Sequence, residues 1–128
     1  MQIAITSTGD NLDAPYDPRF GRAAYLIIVD EDTEAWEAYT NPAVNASGGA
    51  GIQAAQFVAD KGVWAVISGD FGPNAYRALQ AANLAMYLAP AGEAFTVRHL
   101  IHLYRGGKLQ KPTAPTQRGH YGMGQGAR

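Results

Sequence analysis

The segment ASGGAGIQAAQFVADKGVWAVIS, residues 46–68, decides the fold class because its hydrophobic pattern changes twice. Three glycines in four positions lead into a stretch with helical spacing, which Gly62 closes where a helix C-terminus favours a left-handed residue. Residues 63–68 then form a short apolar run that is typical of a buried strand. A helix followed directly by a buried strand is one unit of an α/β fold. The predicted buried stripe of the helix consists of Ile52, Ala55, Val58 and Ala59.

The segments on either side complete a mixed sheet. Residues 2–6 form a short apolar strand, and the runs at 23–30 and 34–40, separated by an acidic turn, predict an antiparallel hairpin. Beyond the quoted segment lie a second helix, a strand at 84–88 and a third helix within 92–108. This order predicts an α/β, ribonuclease-H-like three-layer fold. Its five-stranded mixed sheet has the order 3-2-1-4-5, with strands 1, 4 and 5 parallel and three helices on its faces.

The composition fits a single globular domain and narrows the possible functions. The 128 residues include no cysteine, which excludes disulfides, thiolate-bound zinc and clusters held by protein thiolates. No apolar run approaches the roughly 18 residues of a membrane-spanning helix, and the first ten residues do not resemble a signal peptide. We therefore expect a cytoplasmic protein, with neither a membrane nor a nucleic acid among its partners.

Charge is distributed unevenly along the chain. Residues 1–93 hold all 11 acidic residues and four basic ones, whereas residues 94–128 hold six basic residues and no acidic one. A basic C-terminal end either keeps the chain in solution or helps to collect an anionic ligand or partner, and the sequence leaves both open.

We expect the glycine-rich loop to be one wall of an anion site. In the predicted sheet all three helices begin at the edge where strands 1, 4 and 5 end. Three helix N-termini, each with free N–H groups and a partial positive charge, then meet there, and the long loop after strand 1 adds two arginines. The predicted contacts are Arg19, Arg22, Ser47, Gly48, Gly49, Gly51, Ser68, Gly72 and Asn74.

A nucleotide-specific loop is disfavoured. The segment lacks the lysine of a P-loop, and it follows an antiparallel strand rather than the first strand of a βαβ unit. The sequence leaves open a second interpretation, in which the glycines only permit a tight turn and close helix–sheet packing.

Catalytic chemistry finds little support in the sequence. A two-metal nuclease needs several carboxylates, and Ile3, Ala4 and Ile5 of the first strand offer none. No nucleophile-elbow motif accompanies the serines, which argues against acyl transfer. We expect a protein that is not an enzyme.

The histidines are candidate metal ligands. His99 and His102 lie three residues apart on the third helix, so they share a face and could bind one metal ion. The alternative is a solvated basic face, because Arg98 and Arg105 lie there too. His120, in the C-terminal segment, is a further candidate ligand.

Three segments, taken in order, resemble one protein family. They are Asp17-Pro18-Arg19-Phe20-Gly21-Arg22-Ala23-Ala24-Tyr25, the glycine stretch from Ser47 to Ala55, and Gly69-Asp70-Phe71-Gly72-Pro73-Asn74-Ala75. This pattern resembles the dinitrogenase iron–molybdenum cofactor biosynthesis family, with its NifX/NafY-like domain and the related molybdenum–copper cluster "orange" proteins. The resemblance assigns residues 1–109 to the cofactor-binding domain and leaves 110–128 as a flexible basic tail rich in glycine and proline.

The resemblance implies a ribonuclease-H-like fold and a non-catalytic carrier or chaperone. Its cargo would be an anionic molybdenum-containing metal–sulfur cluster, of the iron–molybdenum or molybdenum–copper type, bound transiently at the C-terminal edge of the parallel strands. Partners would be cofactor-assembly or acceptor proteins. The alternative is a regulatory module that binds a small phosphate or carboxylate ligand at the same edge.

Overall fold

A computed structural model of the chain describes residues 1–91 and 94–116. Within them a three-stranded antiparallel unit precedes alternating helices and strands, and no helix there is long and apolar enough to cross a bilayer. The strands are β1 (Gln2–Ser7), β2 (Tyr25–Asp30), β3 (Trp36–Thr40), β4 (Ala65–Ser68) and β5 (Ala85–Leu88). The helices are α1 (Ala50–Asp60), α2 (Pro73–Ala81) and α3 (Val97–Arg105).

The first strand, β1, lies at the centre of the sheet, where its apolar residues are buried on both faces. It pairs antiparallel with β2 and parallel with β4, and the sheet has the order β3-β2-β1-β4-β5. Ala4 marks the register, because it lies opposite Ile28 of β2 and Val66 of β4. The predicted strand order and the mixed character of the sheet are confirmed.

Helices cover both faces of this sheet. α1 and α2 pack on the face that carries Ala4, Leu26 and Val66. α3 packs on the opposite face, against Ile3 and Ile5. Each face buries a continuous apolar cluster, and each large side chain so buried stabilises the fold by about 1.5–3 kcal/mol. The predicted three layers are confirmed.

The buried face of the first helix agrees with the predicted one only in part. Ala55 and Val58 are buried as predicted, but Ala59 is half-buried and Ile52 is 45% exposed, so the prediction is wrong for Ile52. A Cβ added at Gly51 would come within 2.9 Å of the Ala75 Cβ, which means that α1 and α2 cross almost in backbone contact. Small side chains therefore mark the buried face, while the larger Ile52 points outward. The buried residues of α1 are Ala50, Ala54, Ala55 and Val58.

After α3 the chain returns to the edge of the sheet. Gln110 forms a β-bridge with Leu88 of β5, and Thr116 hydrogen bonds to Phe71. The part of the predicted tail that the structure describes, residues 110–116, thus contacts the domain at both of its ends. The flexibility of 110–128 stays a prediction, and residues 117–128, with His120, lie outside the described residues.

Candidate functional site

A cavity of about 570 Å³ opens beside the C-terminal ends of β1 and β4, and we call it the edge cavity. Its walls are the loop after β1, the first turn of α1, and the segment that joins β4 to α2. Its volume lies within the range of roughly 300–1,000 Å³ that is usual for small-molecule sites. Five of the predicted contacts line it, namely Arg19, Arg22, Gly51, Gly72 and Asn74.

Two helix N-termini present unpaired backbone donors at this cavity. Glycine occupies the N-cap position of both α1 and α2, so no side chain caps either helix. Within the described part of the chain, no acceptor meets the N–H groups of Ala50, Gly51 and Ile52 in α1 or of Asn74 and Ala75 in α2. Such donors, together with the positive end of the helix dipole, favour an anion.

The third helix does not contribute donors in this way. The Thr96 hydroxyl accepts from the His99 N–H at 3.1 Å. Carbonyls of the loop after β1 accept from the N–H groups of Val97 and Arg98 at 3.0 and 2.8 Å. The prediction that three helix N-termini offer free N–H groups to one site is therefore wrong for α3, whose first turn is already satisfied.

The glycines of this region differ in their backbone conformation and in the space available for a side chain. Gly49 has a φ of 71°, in the left-handed region that favours glycine. Gly51 leaves room for the crossing of α1 and α2. A Cβ added at Gly48 or Gly72 would meet nothing within 4 Å, and neither residue has a positive φ. Chain geometry therefore explains Gly49 and Gly51, whereas the open space above Gly72, which lines the cavity, leaves the backbone there accessible.

Two arginines lie on the loop after β1. The Nε and Nη2 atoms of Arg19 donate to the two carboxylate oxygens of Asp17, each at 3.2 Å, and this bonding raises the pKa of Arg19. The Asp17 carboxylate is buried, but the Arg19 side chain remains 62% exposed. Arg22 Nη1 donates to the carbonyl of Ala46 and so joins this loop to the segment before α1. The cavity wall thus carries two cations, one of them balanced by a buried carboxylate.

The two predicted serines differ in their positions. Ser68 is fully buried. Its hydroxyl accepts from Thr6 Oγ1 at 2.9 Å and donates to the Pro18 carbonyl at 3.4 Å, so it fastens the loop after β1 rather than reaching the cavity. Ser47 is exposed, as are Gly48 and Gly49, and these three precede α1 without lining the cavity.

The structure does not bring His99 or His102, two of the predicted metal ligands, to the edge cavity. His99 packs against the ring of Phe95, with a centroid distance of 4.9 Å. His102 lines a second cavity, of about 250 Å³, on the α3 side of the sheet. Among residues 1–91 and 94–116, no group of three His, Cys, Asp or Glu side chains could hold a metal ion. The prediction for His120 is untested, because that residue lies outside the described range.

Two residues that position or line the cavity were not predicted from the sequence. Asn41 is fully buried, and its amide donates to the carbonyls of Gly21 and Ala23 while its oxygen accepts from the Ala43 N–H. It thus ties the loop after β1 to the turn before α1, and the Asn-Pro pair at 41–42 is a turn signal that could have indicated it. Thr116 also lines the cavity, although no local pattern marks it.

Comparison with known proteins agrees with this architecture. Residues 1–105 match the model of the family described as dinitrogenase iron–molybdenum cofactor. The apo form of the orange protein from Desulfovibrio gigas is 39% identical with a TM-score of 0.84, over 91% of this chain and 96% of that one. A putative NifB protein from Thermotoga is 33% identical with a TM-score of 0.77, over 91% of this chain and 97% of that one. An uncharacterised protein of Methanocaldococcus jannaschii is 30% identical over 87% of this chain and 91% of its own length.

Proposed function

This chain belongs to the dinitrogenase iron–molybdenum cofactor family, and we propose that it is a non-catalytic carrier of an anionic molybdenum-containing metal–sulfur cluster. The cluster is the cargo, held in the edge cavity for delivery to an acceptor or cofactor-assembly protein. The observation that carries the proposal is the pairing of two uncapped helix N-termini with two exposed arginines around one cavity. The description of the family, iron–molybdenum cofactor, supports a cluster of the molybdenum type.

The donors around the cavity suit a cluster that brings its own sulfide. Backbone N–H groups and guanidinium groups donate hydrogen bonds to anionic sulfur without forming a covalent bond to it. The chain has no cysteine, so it has no thiolate that would fix the metal permanently. Binding through hydrogen bonds and charge is exchangeable, as delivery to another protein requires.

The same lining argues for a carrier rather than a catalyst. Among the described residues that line the cavity there is one carboxylate, that of Asp70, and no histidine, cysteine or serine. General acid–base or nucleophilic catalysis needs such groups within hydrogen-bond reach of each other. The cavity instead brings two guanidinium groups and the first-turn N–H groups of two helices together, which is an arrangement that favours an anion.

Anaerobic reconstitution tests the proposal. The chain is mixed with tetrathiomolybdate and copper or iron, desalted, and examined by visible absorption and metal analysis. We expect a coloured protein with molybdenum and the second metal in a fixed ratio. A chain that remains colourless and metal-free contradicts the proposal.

A pair of glycine variants locates the bound cluster. Gly72→Ala places a methyl group in the open space above the α2 N-cap and should reduce uptake strongly. Gly106→Ala is the matched control, since Gly106 caps the C-terminus of α3, where a Cβ meets only ordinary contacts at 3.5 Å or more. Equal uptake by both variants would exclude the edge cavity as the site.

The alternative ligand class is tested with the same protein. Stabilisation in a thermal-shift assay by phosphate, nucleotides or carboxylates, with none by thiomolybdate, would favour a small-molecule module at the same helix N-termini.

A further inference from the structure

A buried carboxylate lies behind the wall of the edge cavity, in the loop after β1. Asp17 is only 3% exposed and does not itself line the cavity. Its two carboxylate oxygens accept from the Nε and Nη2 atoms of Arg19, each at 3.2 Å, and Arg19 does line the cavity. The carboxylate therefore acts on the contents of the cavity through the Arg19 guanidinium.

The surrounding fold fixes the position of this carboxylate. The Asp17 N–H donates to the Thr6 carbonyl of β1 at 3.0 Å. Two residues further on, Arg19 forms a parallel β-bridge with Asp70, in the segment that joins β4 to α2. The chain is thus held on both sides of the ion pair, and Asp17 cannot leave Arg19 without a rearrangement of the loop.

The local turn does not explain why this residue carries a charge. Asp17 Oδ1 accepts from the Arg19 backbone N–H at 3.0 Å, a bond that an asparagine side chain would accept equally well. Burial of a carboxylate costs solvation free energy, which the two guanidinium donors of Arg19 offset here. What the charge of Asp17 adds to the turn is therefore the neutralisation of Arg19.

The side-chain charges around the edge cavity consequently balance. The described lining residues include the guanidinium groups of Arg19 and Arg22 and the carboxylate of Asp70. With Asp17 behind Arg19, two positive charges meet two negative ones. The remaining attraction for an anion comes from the first-turn N–H groups of α1 and α2. An anion held in this way dissociates more readily than one held by an arginine without a carboxylate partner.

We propose that Asp17 limits how long the edge cavity retains its anionic cargo, by neutralising the Arg19 guanidinium from behind. Resting on the proposed carrier function, this role makes Asp17 a positioning residue that favours release. A carrier has to give up its cargo to an acceptor, so an affinity below the highest attainable one serves delivery. Removal of the carboxylate should then strengthen binding, whereas the loss of a purely structural residue would weaken it.

The test compares the full-length wild type with Asp17→Asn and with Asp32→Asn as the matched control. Both substitutions remove one negative charge, but Asp32 is an exposed residue paired with the N-terminal amine, at the other end of β1. Anaerobic titration with tetrathiomolybdate, followed by visible absorption, gives the Kd. We expect Asp17→Asn to bind at least about tenfold more tightly than the wild type, and Asp32→Asn to match the wild type.

A rate measurement tests retention directly. Each protein is loaded with tetrathiomolybdate and copper(I), and the visible band is followed after addition of a copper(I) chelator. Asp17→Asn should lose its colour at least about tenfold more slowly than the wild type. Asp17→Ser removes the same charge with a smaller side chain and should show the same tightening, which covers the case in which Asp17→Asn does not fold.

Four other outcomes overturn the inference, and they separate it from the proposed function. If the wild type loads but the folded Asp17 variants bind no more tightly, Asp17 only shapes the loop, and the carrier function stands. Equal tightening in Asp32→Asn would assign the effect to the net charge of the chain. If neither Asp17 variant folds, the fold itself needs the carboxylate. If the wild type binds neither tetrathiomolybdate nor the cluster, both proposals fall.

Discussion

At the scale of single residues, the glycines differ in whether the fold has room for a side chain at their positions. A Cβ at Gly51 would come within 2.9 Å of the Ala75 Cβ and 3.2 Å of its backbone nitrogen, so only glycine allows α1 and α2 to approach this closely. Gly48 meets no such limit, because the space around its Cα is open. The fold therefore requires glycine at position 51 but not at position 48.

This difference predicts unequal effects on stability for two glycine-to-alanine variants. Gly51→Ala should lower the free energy of unfolding by about 1–3 kcal/mol, because the added methyl group pushes α1 away from α2. Gly48→Ala, on the exposed segment before α1, should change it by less than about 0.5 kcal/mol. Urea unfolding followed by circular dichroism measures both values. A destabilised Gly48→Ala together with an unaffected Gly51→Ala would reverse the assignment.

At the scale of elements, the sequence predicted the order and type of each helix and strand but not their mutual contacts. Gly62, with a φ of 81°, ends α1 as its position in the sequence predicted, because the left-handed conformation is a local requirement. The outward position of Ile52 depends instead on how closely α2 approaches. The occupied N-terminus of α3 likewise depends on carbonyls more than 80 residues earlier in the chain, as in the bond from Arg98 N–H to the Leu12 carbonyl. Such contacts follow only from the assembled fold.

A polar junction fastens α3 to the opposite end of the sheet. The Glu31 carboxylate, in the turn between β2 and β3, accepts from Trp64 Nε1 and, at 3.2 Å, from the Tyr104 hydroxyl. Arg105 adds an ion pair to Glu34 at 2.8 Å. The arginines of α3 thus serve the fold in part, which accounts for some of the basic face seen in the sequence.

This junction predicts a pH dependence of stability. Burial and the nearby Glu31 carboxylate raise the pKa of the Tyr104 phenol well above its ordinary value of 10.0. The folded protein therefore keeps this proton at pH values where the unfolded chain has released it. The stability from Tyr104 is complete below about pH 10 and declines as the pH rises above that value.

The variant Tyr104→Phe isolates this contribution. At neutral pH it should lower the free energy of unfolding by about 1 kcal/mol, because it removes the hydrogen bond to Glu31. Above pH 10 the gap between the two proteins should narrow, since only the wild type loses stability through this phenol. Denaturant unfolding at pH 8 and pH 10.5 measures the two gaps. A gap that widens with pH would contradict the assigned direction of the pKa shift.

At the scale of the whole molecule, the helices on the two faces of the sheet differ in the hydrogen bonding of their first-turn N–H groups. Among residues 1–91 and 94–116, the first-turn N–H groups of α1 and α2 beside the cavity have no acceptor, whereas those of α3 bond to the loop after β1 and to the Thr96 hydroxyl. Topology could be predicted from sequence, and it brings all three N-termini to one edge. The sequence could not predict which of these N-termini keep N–H groups without an acceptor. That depends on the positions of the loop carbonyls and the Thr96 hydroxyl in the folded chain.

The asymmetry predicts where bound cargo protects the backbone from hydrogen exchange. In protein loaded with tetrathiomolybdate and copper, exchange should slow at residues 50–52 and 74–75, whose N–H groups have no acceptor in the described part of the chain. Exchange at residues 97–99 should not change, because those N–H groups are already bonded. At a ligand concentration 100 times the Kd, a site that must release its ligand to exchange slows by about 100-fold, equivalent to 2.7 kcal/mol. Exchange measured by NMR resolves the two sets, and slowing confined to the start of α3 would move the binding site to the other side of the sheet.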